Sequence, residues 1–403
     1  MPKLPKPEPH ELVDTGEVEL QLHQYAHEKA TPVLLLHGAS ACRETFLFPP
    51  PEDGTSLAAF LFDEGYEPWL LDWRGSKNVV EHHRKRSDLD RLRDKFDFDQ
   101  AAEFDIPAAL DKIEEIRGKG AIGVVGFCMG GGILAQAIAE GRLEDTGVTQ
   151  VVLMTLGLFY ETPLDGRLKA QDHLLERIMT DGAVLVDPRP DREWPEQLDE
   201  LYKIWPERLR PHDRSELQKE DDQHKRILEQ CDRVSFMYGD PYYEPALFKQ
   251  IHDSVRELRK QFGAIPIKMF VHAARNVRRG WAGEYKALRS DRSMLSDDCR
   301  ARFDVFEQVT LITGDRNRIW HRDSIDRMYE WLTRGTARPG NRYRKVIFRE
   351  NGHQDLLWGK NSLKQIFPEI RRGLPPTPHE RSKASAQRAS SHAMPRRAAA
   401  ATP

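Results

Sequence analysis

The stretch Ala121–Glu140, AIGVVGFCMGGGILAQAIAE, decides how this chain is read. Ile122, Val124 and Val125 make a short apolar run of the kind that forms a buried strand. The run meets Gly126-Phe127-Cys128-Met129-Gly130, and Ile133–Ala139 then carries the dense small and apolar side chains of a tightly packed helix. A strand, a glycine-flanked turn and a helix, with a nucleophile-type residue at the apex, is the layout of a nucleophile elbow. The apex backbone of such a turn is strained, and its neighbours need small side chains so that strand and helix can approach. The apex here is Cys128, where serine is usual. A lone cysteine at a glycine-rich helix start would be an inert packing residue. The coincidence of the G-x-C-x-G-G run with its strand and helix favours the elbow, and with it a catalytic Cys128.

Upstream of the elbow, Glu17–Tyr25 alternates polar and apolar residues as an antiparallel strand does, and Pro32–Leu36 (PVLLL) is a continuous apolar strand, the pattern of a sheet covered on both faces. Ser56–Gly65 reads as a helix, Glu67–Trp73 as a strand and Phe98–Ile116 as a helix with apolar residues at helical spacing. Val148–Leu156 is another buried strand. Strand and helix thus alternate, which implies a mainly parallel sheet flanked by helices. From Leu158 to Arg302 charges and prolines are dense and apolar residues fall at helical spacing, too long a segment for a loop. The sheet resumes at Gln308–Thr313, with a helix at Ser324–Thr333, a strand at Arg342–Phe348 and a helix at Asn361–Ile370. The expected organisation is a flexible lead over 1–15, a core over 16–157 and 306–371, a helical cap over 158–305 and a disordered tail over 372–403.

The 403 residues carry a net charge of −3, with 31% charged, so no global basic field points to nucleic acid. The proline-rich N-terminus has no apolar core segment, and no run approaches the roughly 18 residues that span a bilayer. Four cysteines, Cys42, Cys128, Cys231 and Cys299, are too few for a disulfide framework and read as reduced thiols in a cytoplasmic protein. No dinucleotide fingerprint, Walker loop or zinc-spaced cluster occurs, so neither cofactor nor metal is expected. The charged run Ser76–Asp97 reads as a surface loop or short helix, with His82 and His83 in water.

A cysteine nucleophile needs a base for its proton and an oxyanion hole for the charged intermediate. In an α/β-hydrolase the order along the chain is nucleophile, acid, histidine, the last two in loops after late strands. His353, in ENGHQD directly after the last strand, occupies the place of the base. The acid is open. The position three residues after Gly314 is Asn317; Asp315 and Asp355 are the other candidates. An asparagine orienter is compatible with a Cys–His pair held as thiolate and imidazolium. The Met129 amide, with one from Ala39 or Ser40 in the His37-Gly38-Ala39-Ser40 turn, is the expected oxyanion hole. Arg74 reads as a structural ion-pairing residue rather than a pocket residue.

Together LLLHGAS, EGYEPWLLDWRGS, FDFDQAAEFDIPAALDKI, GFCMGG, GDRNRIW and NGHQDLLWGKNS resemble the α/β-hydrolase region joined to cholesterol oxidase-like members of the glucose–methanol–choline oxidoreductases. The cap stretch CDRVSFMYGDPYYEPALFKQIHDSVRELRKQFG resembles it too, and the likeness covers residues 15–370. It implies an elbow cysteine and a post-strand asparagine as family features, an apolar sterol- or lipid-like substrate, and, without the flavin-binding half, a stand-alone version of that region, with an oxidoreductase as the partner in the docking reading. A weaker resemblance, through the G-x-C-x-G-G box, the late histidine and DWRGS, is to polyhydroxyalkanoate synthases, from which Asn317 departs where they carry an aspartate. The expected fold is therefore an α/β-hydrolase with a helical cap. The expected activity is cleavage or transfer of the acyl group of an apolar, lipid-like small-molecule ester or thioester by Cys128 and His353. The competing readings are a silent hydrolase fold that binds a lipid or docks on an oxidoreductase, and a polyhydroxyalkanoate synthase-like acyltransferase.

Overall fold

The computed structural model describes residues 4–13, 18–50, 54–171, 173–192, 194–204, 222–243, 261–334 and 342–383. Eight strands form one sheet: β1 Glu8–Val13, β2 Glu19–Gln24, β3 Thr31–Leu36, β4 Tyr66–Asp72, β5 Ile122–Phe127, β6 Val148–Met154, β7 Gln308–Gly314 and β8 Tyr343–Phe348. Their order across the sheet is β1-β2-β4-β3-β5-β6-β7-β8. All neighbours from β4 to β8 run parallel, while β1 with β2 and β2 with β4 run antiparallel. Strand side chains alternate between faces. Accordingly Leu34, Leu36 and Val124 join one apolar cluster and Val33, Leu35 and Val125 the other. Both faces of the sheet are buried, as the unbroken apolar runs of β3 and β5 require.

The helices that cover it include α1 Leu57–Asp63, α2 Ile106–Arg117 and α3 Met129–Ala139. Every residue of α3 is buried, which is why that helix has no polar stripe. Between β6 and β7 the described part of the chain is an insertion of short helices and two longer ones, α4 Asp222–Tyr238 and α5 Ile267–Arg279, with a two-residue ladder of Leu185–Val186 on Ile265–Pro266. Helix α6 Asp323–Thr333 follows β7. Two stretches read as plain helices contain a π-helical turn, Ala101–Asp105 and Ser362–Ile366. In both, a proline follows two residues later (Pro107, Pro368), and its missing N–H interrupts the regular ladder.

Three expectations need correction. Residues 8–13 of the supposed lead form edge strand β1, in register with β2 from Glu8↔Gln24 to Val13↔Glu19. The supposed tail is docked as far as it is described: Tyr66 donates to the Pro375 carbonyl at 3.1 Å, and Arg371 pairs with Glu380 at 2.7 Å. Proline-rich chain has free carbonyls that a neighbouring hydroxyl can use, so lack of periodicity did not mean lack of contacts; residues from 384 on lie outside the described part. His83 is fully buried on the helix Lys77–Lys85, which turns Val79 and Val80 inward, whereas His82 reaches Glu19 at the surface.

Candidate active site

Cys128 follows β5 and caps α3 with φ 57° and ψ −128°, a left-handed backbone that a side chain adopts only where the surroundings hold it. Its N–H donates to the Met154 carbonyl at 3.0 Å. The close approach behind the turn explains two glycines. A Cβ on Gly130 would lie 2.2 Å from the Leu36 carbonyl oxygen, and one on Gly38 would lie 3.0 Å from Cys128 Cβ. The elbow and the HGAS turn are therefore pressed together, which brings the turn's backbone to the nucleophile.

His353 is buried, with its ring 4.9 Å from Phe127. Its Nδ1–H donates to Asn317 Oδ1 at 3.2 Å. The same oxygen accepts the amides of Ile319 at 3.0 Å and Trp320 at 3.1 Å. Three donors converge on this atom, which fixes it as the oxygen rather than the nitrogen of the amide and sets the histidine tautomer. Nε2 is left as the acceptor; it is buried and meets no protein partner among the described residues. Of the three candidate orienters, Asn317 alone faces the ring. Asp315, two residues away, accepts the Glu350 amide at 2.7 Å and, with Asn317, lines a neighbouring pocket of about 760 Å³. Asp355 accepts the amides of Gly352 at 2.7 Å and Tyr243 at 2.9 Å, closing the turn that carries His353 and tying it to the insertion.

Cys128 and His353 line one cavity of about 160 Å³, whose walls are almost wholly apolar and come from both core and insertion, among them Phe98, Phe236, Met269 and Trp320. Burial pushes the Cys128 thiol up to about 11, against the opposite pull of the Trp320 indole and the Met129 amide. Burial also lowers His353 to about 3. At neutral pH the pair therefore rests as thiol and neutral imidazole, not as the thiolate and imidazolium expected of cysteine chemistry. The apolar cavity disfavours both charges.

The oxyanion candidates separate. The Met129 N–H stands at the sulfur, and the Ala39 amide makes no hydrogen bond among the described residues. The Ser40 amide is spent on the Gly75 carbonyl at 3.0 Å, so Ser40 is not a donor to a substrate. Ser40 instead organises the turn. With φ 55° it is held by Tyr238 O–H on its Oγ at 2.6 Å and by the Gly263 amide on its carbonyl at 2.9 Å, both from the insertion. His37 props the turn from beneath, with Nδ1 2.7 Å from the Gly38 carbonyl and Nε2 3.5 Å from Asp72. Burial alone would raise the Asp72 carboxyl, but His37, Arg43 and Asn78 hold it well below the usual range. Arg74 is structural and pairs within the core, with Asp105 at 2.6 Å.

Asp97, Asp99 and His272 come within 4.8 Å of one another, the one such group among the described residues. Their atoms are engaged: Asp97 with Lys268 at 2.8 Å, Asp99 with Gln136 at 2.8 Å and the Tyr285 amide at 2.7 Å, and His272 Nε2 with the Gly283 carbonyl at 2.8 Å. The cluster is a joint between core and insertion. Trp320 and Tyr238 were not found from the sequence; Trp320 lies three residues past Asn317 in GDRNRIW, which was the available signal.

Residues 33–360 match the model of a family described as the alpha/beta hydrolase family. Over 182 residues the chain is 26% identical to gastric triacylglycerol lipase of Bos taurus, covering 43% of this chain and 45% of that one. Over 134 residues it is 25% identical to Lipase lipl-1 of Caenorhabditis elegans, covering 31% and 32%. The chain thus spans less than half the length of these curated relatives. Among solved structures, that of a DcsB complex with its substrate analogue superposes with a TM-score of 0.50 at 13% identity, over 92% of this chain and 99% of that one, a likeness of fold.

Proposed function

The chain belongs to the alpha/beta hydrolase family, and from that premise we propose that it hydrolyses an apolar, lipid-like ester or thioester with Cys128 as nucleophile. The observation that carries this reading is the shared cavity: an elbow cysteine and a histidine, oriented through Nδ1 and with no protein partner on Nε2 among the described residues, line one apolar chamber. The lipase relatives support an ester substrate, and the apolar walls support an acyl chain in the chamber. Because the pair rests neutral, His353 acts as a general base. Nε2 takes the thiol proton as the sulfur attacks the acyl carbon, the Met129 and Ala39 amides receive the oxyanion, and Nε2 returns the proton to the departing alcohol or thiol. Water, deprotonated by Nε2, then resolves the acyl-thioester. An alcohol in place of water would make the same site an acyltransferase. Cys42, Cys128 and Cys299 form no disulfide among the described residues, which fits a reducing, cytoplasmic setting.

The test is a panel of p-nitrophenyl esters of increasing chain length and acyl-thioesters, with Cys128→Ala and His353→Ala beside the wild type. Turnover that rises with chain length and falls at least about a hundredfold in both variants is expected. Unchanged turnover in Cys128→Ala would overturn the mechanism. The neutral pair also favours a second reading, a binding protein that holds the same apolar ligand, alone or beside an oxidoreductase partner. It predicts saturable binding of a fatty acyl probe with no turnover by the wild type.

A further inference from the structure

We propose that the indole N–H of Trp320 is a catalytic group of this site, donating a hydrogen bond to the Cys128 sulfur whenever that atom carries negative charge. The proposal rests on the reading of Cys128 as the nucleophile. Trp320 is 6% exposed and lines the cavity with Cys128 and His353, yet its Nε1–H meets no aligned acceptor among the described residues. A buried N–H left without a partner is costly, and a phenylalanine would fill the wall without that cost. The donor thus shares the cavity with the Cys128 sulfur, an acceptor that strengthens when it gains charge during turnover. Its position is fixed on two sides. The Trp320 amide is held by Asn317 Oδ1 at 3.1 Å, and the ring meets Tyr160 edge-on at 5.3 Å. The oxygen that sets the His353 ring therefore also sets the loop from which the indole projects. The indole already favours the thiolate over the thiol in the resting site.

The chemistry calls for such a donor. In the second half-reaction water gives its proton to His353 Nε2 as its oxygen bonds to the thioester carbon. The tetrahedral intermediate then collapses, the C–S bond breaks and its electron pair leaves on Sγ, until the imidazolium returns the proton to sulfur. For that interval the cavity holds a thiolate and an imidazolium, and Asn317 has no charge to offset the latter. A hydrogen bond to sulfur stabilises the other member of the pair.

Trp320→Phe removes the donor and keeps a ring; Trp320→His returns an N–H in a smaller ring. The readouts are the rate of iodoacetamide labelling at Cys128, followed by peptide mass spectrometry at about pH 8.5, the ordinary cysteine pKa, and kcat and KM on the best p-nitrophenyl ester of the wild type. Circular dichroism and thermal unfolding identify folded variants. Expected in folded Trp320→Phe are losses of about tenfold in labelling rate and in kcat with little change in KM, partly restored in Trp320→His. Wild-type labelling and kcat in folded Trp320→Phe, with Cys128→Ala inactive, would overturn this assignment and leave the nucleophile standing. Should Trp320→Phe not fold, labelling and kcat no lower in folded Trp320→Ala than in wild type would equally overturn it. Full turnover by Cys128→Ala would remove both.

Discussion

At the scale of single residues, the site is governed by burial. A cysteine at a helix start beside a histidine is ordinarily read as an ion pair, because the thiolate is the stronger nucleophile. Here the cavity is apolar and the histidine partner is an amide, so neither charge is compensated, and Cys128 is raised while His353 is lowered. The consequence appears in the pH dependence. An imidazole lowered to about 3 stays neutral as a base far below its ordinary pKa near 6.5. The wild-type kcat/KM should therefore show no acidic limb between about pH 7 and pH 5. Asn317→Asp puts a carboxylate where three N–H groups converge, which favours the imidazolium. In that variant kcat/KM should fall as pH is lowered through the same range. A wild-type limb near 6.5 would show that burial does not hold His353 neutral.

At the scale of elements, the informative contact joins α4 to the turn after β3. The Ser40 backbone is left-handed without being glycine, and it persists because a core carbonyl, the Tyr238 hydroxyl and the Gly263 amide all grip it. Two of those three grips come from the insertion, so the insertion both roofs the cavity and holds the Ala39 amide beside the elbow. Tyr238→Phe keeps the ring that lines the cavity and removes the O–H. One hydrogen bond is worth about 0.5–1.5 kcal/mol, so kcat should fall roughly twofold to tenfold, with KM nearly constant. Steady-state kinetics on the p-nitrophenyl panel decide it; a loss confined to KM would assign Tyr238 to substrate packing instead.

At the scale of the whole molecule, the core is crossed by histidines kept neutral. His23, His83, His272 and His353 are all lowered, with burial as the largest cause in each. Each takes up its proton in the unfolded chain, near pH 6.5, before it does so in the folded one. The unfolded state then binds more protons, and stability, complete above about pH 6.5, declines as pH falls below it. Thermal unfolding at pH 7 and pH 5 should show the midpoint dropping by several degrees. A midpoint that holds or rises over that interval would mean that other groups outweigh these four.

The sequence alone determined what depends on neighbours along the chain. The apolar runs of β3 and β5 required a sheet buried on both faces, and the glycines around Cys128 required a tight strand-to-helix turn. The place of His353 after the last strand followed from the same order of elements. What it left open were choices made between parts distant in sequence. Asn317 and Asp315 sit two residues apart in one loop, and only the meeting of β7 and β8 turns one to His353 and the other to Glu350. The Ser40 amide was lost to Gly75, and residues 8–13 found a sheet edge, through contacts that no local pattern encodes. The protonation of the Cys–His pair was likewise beyond a motif. Spacing names the groups, but their pKa values follow from how much water the folded walls exclude.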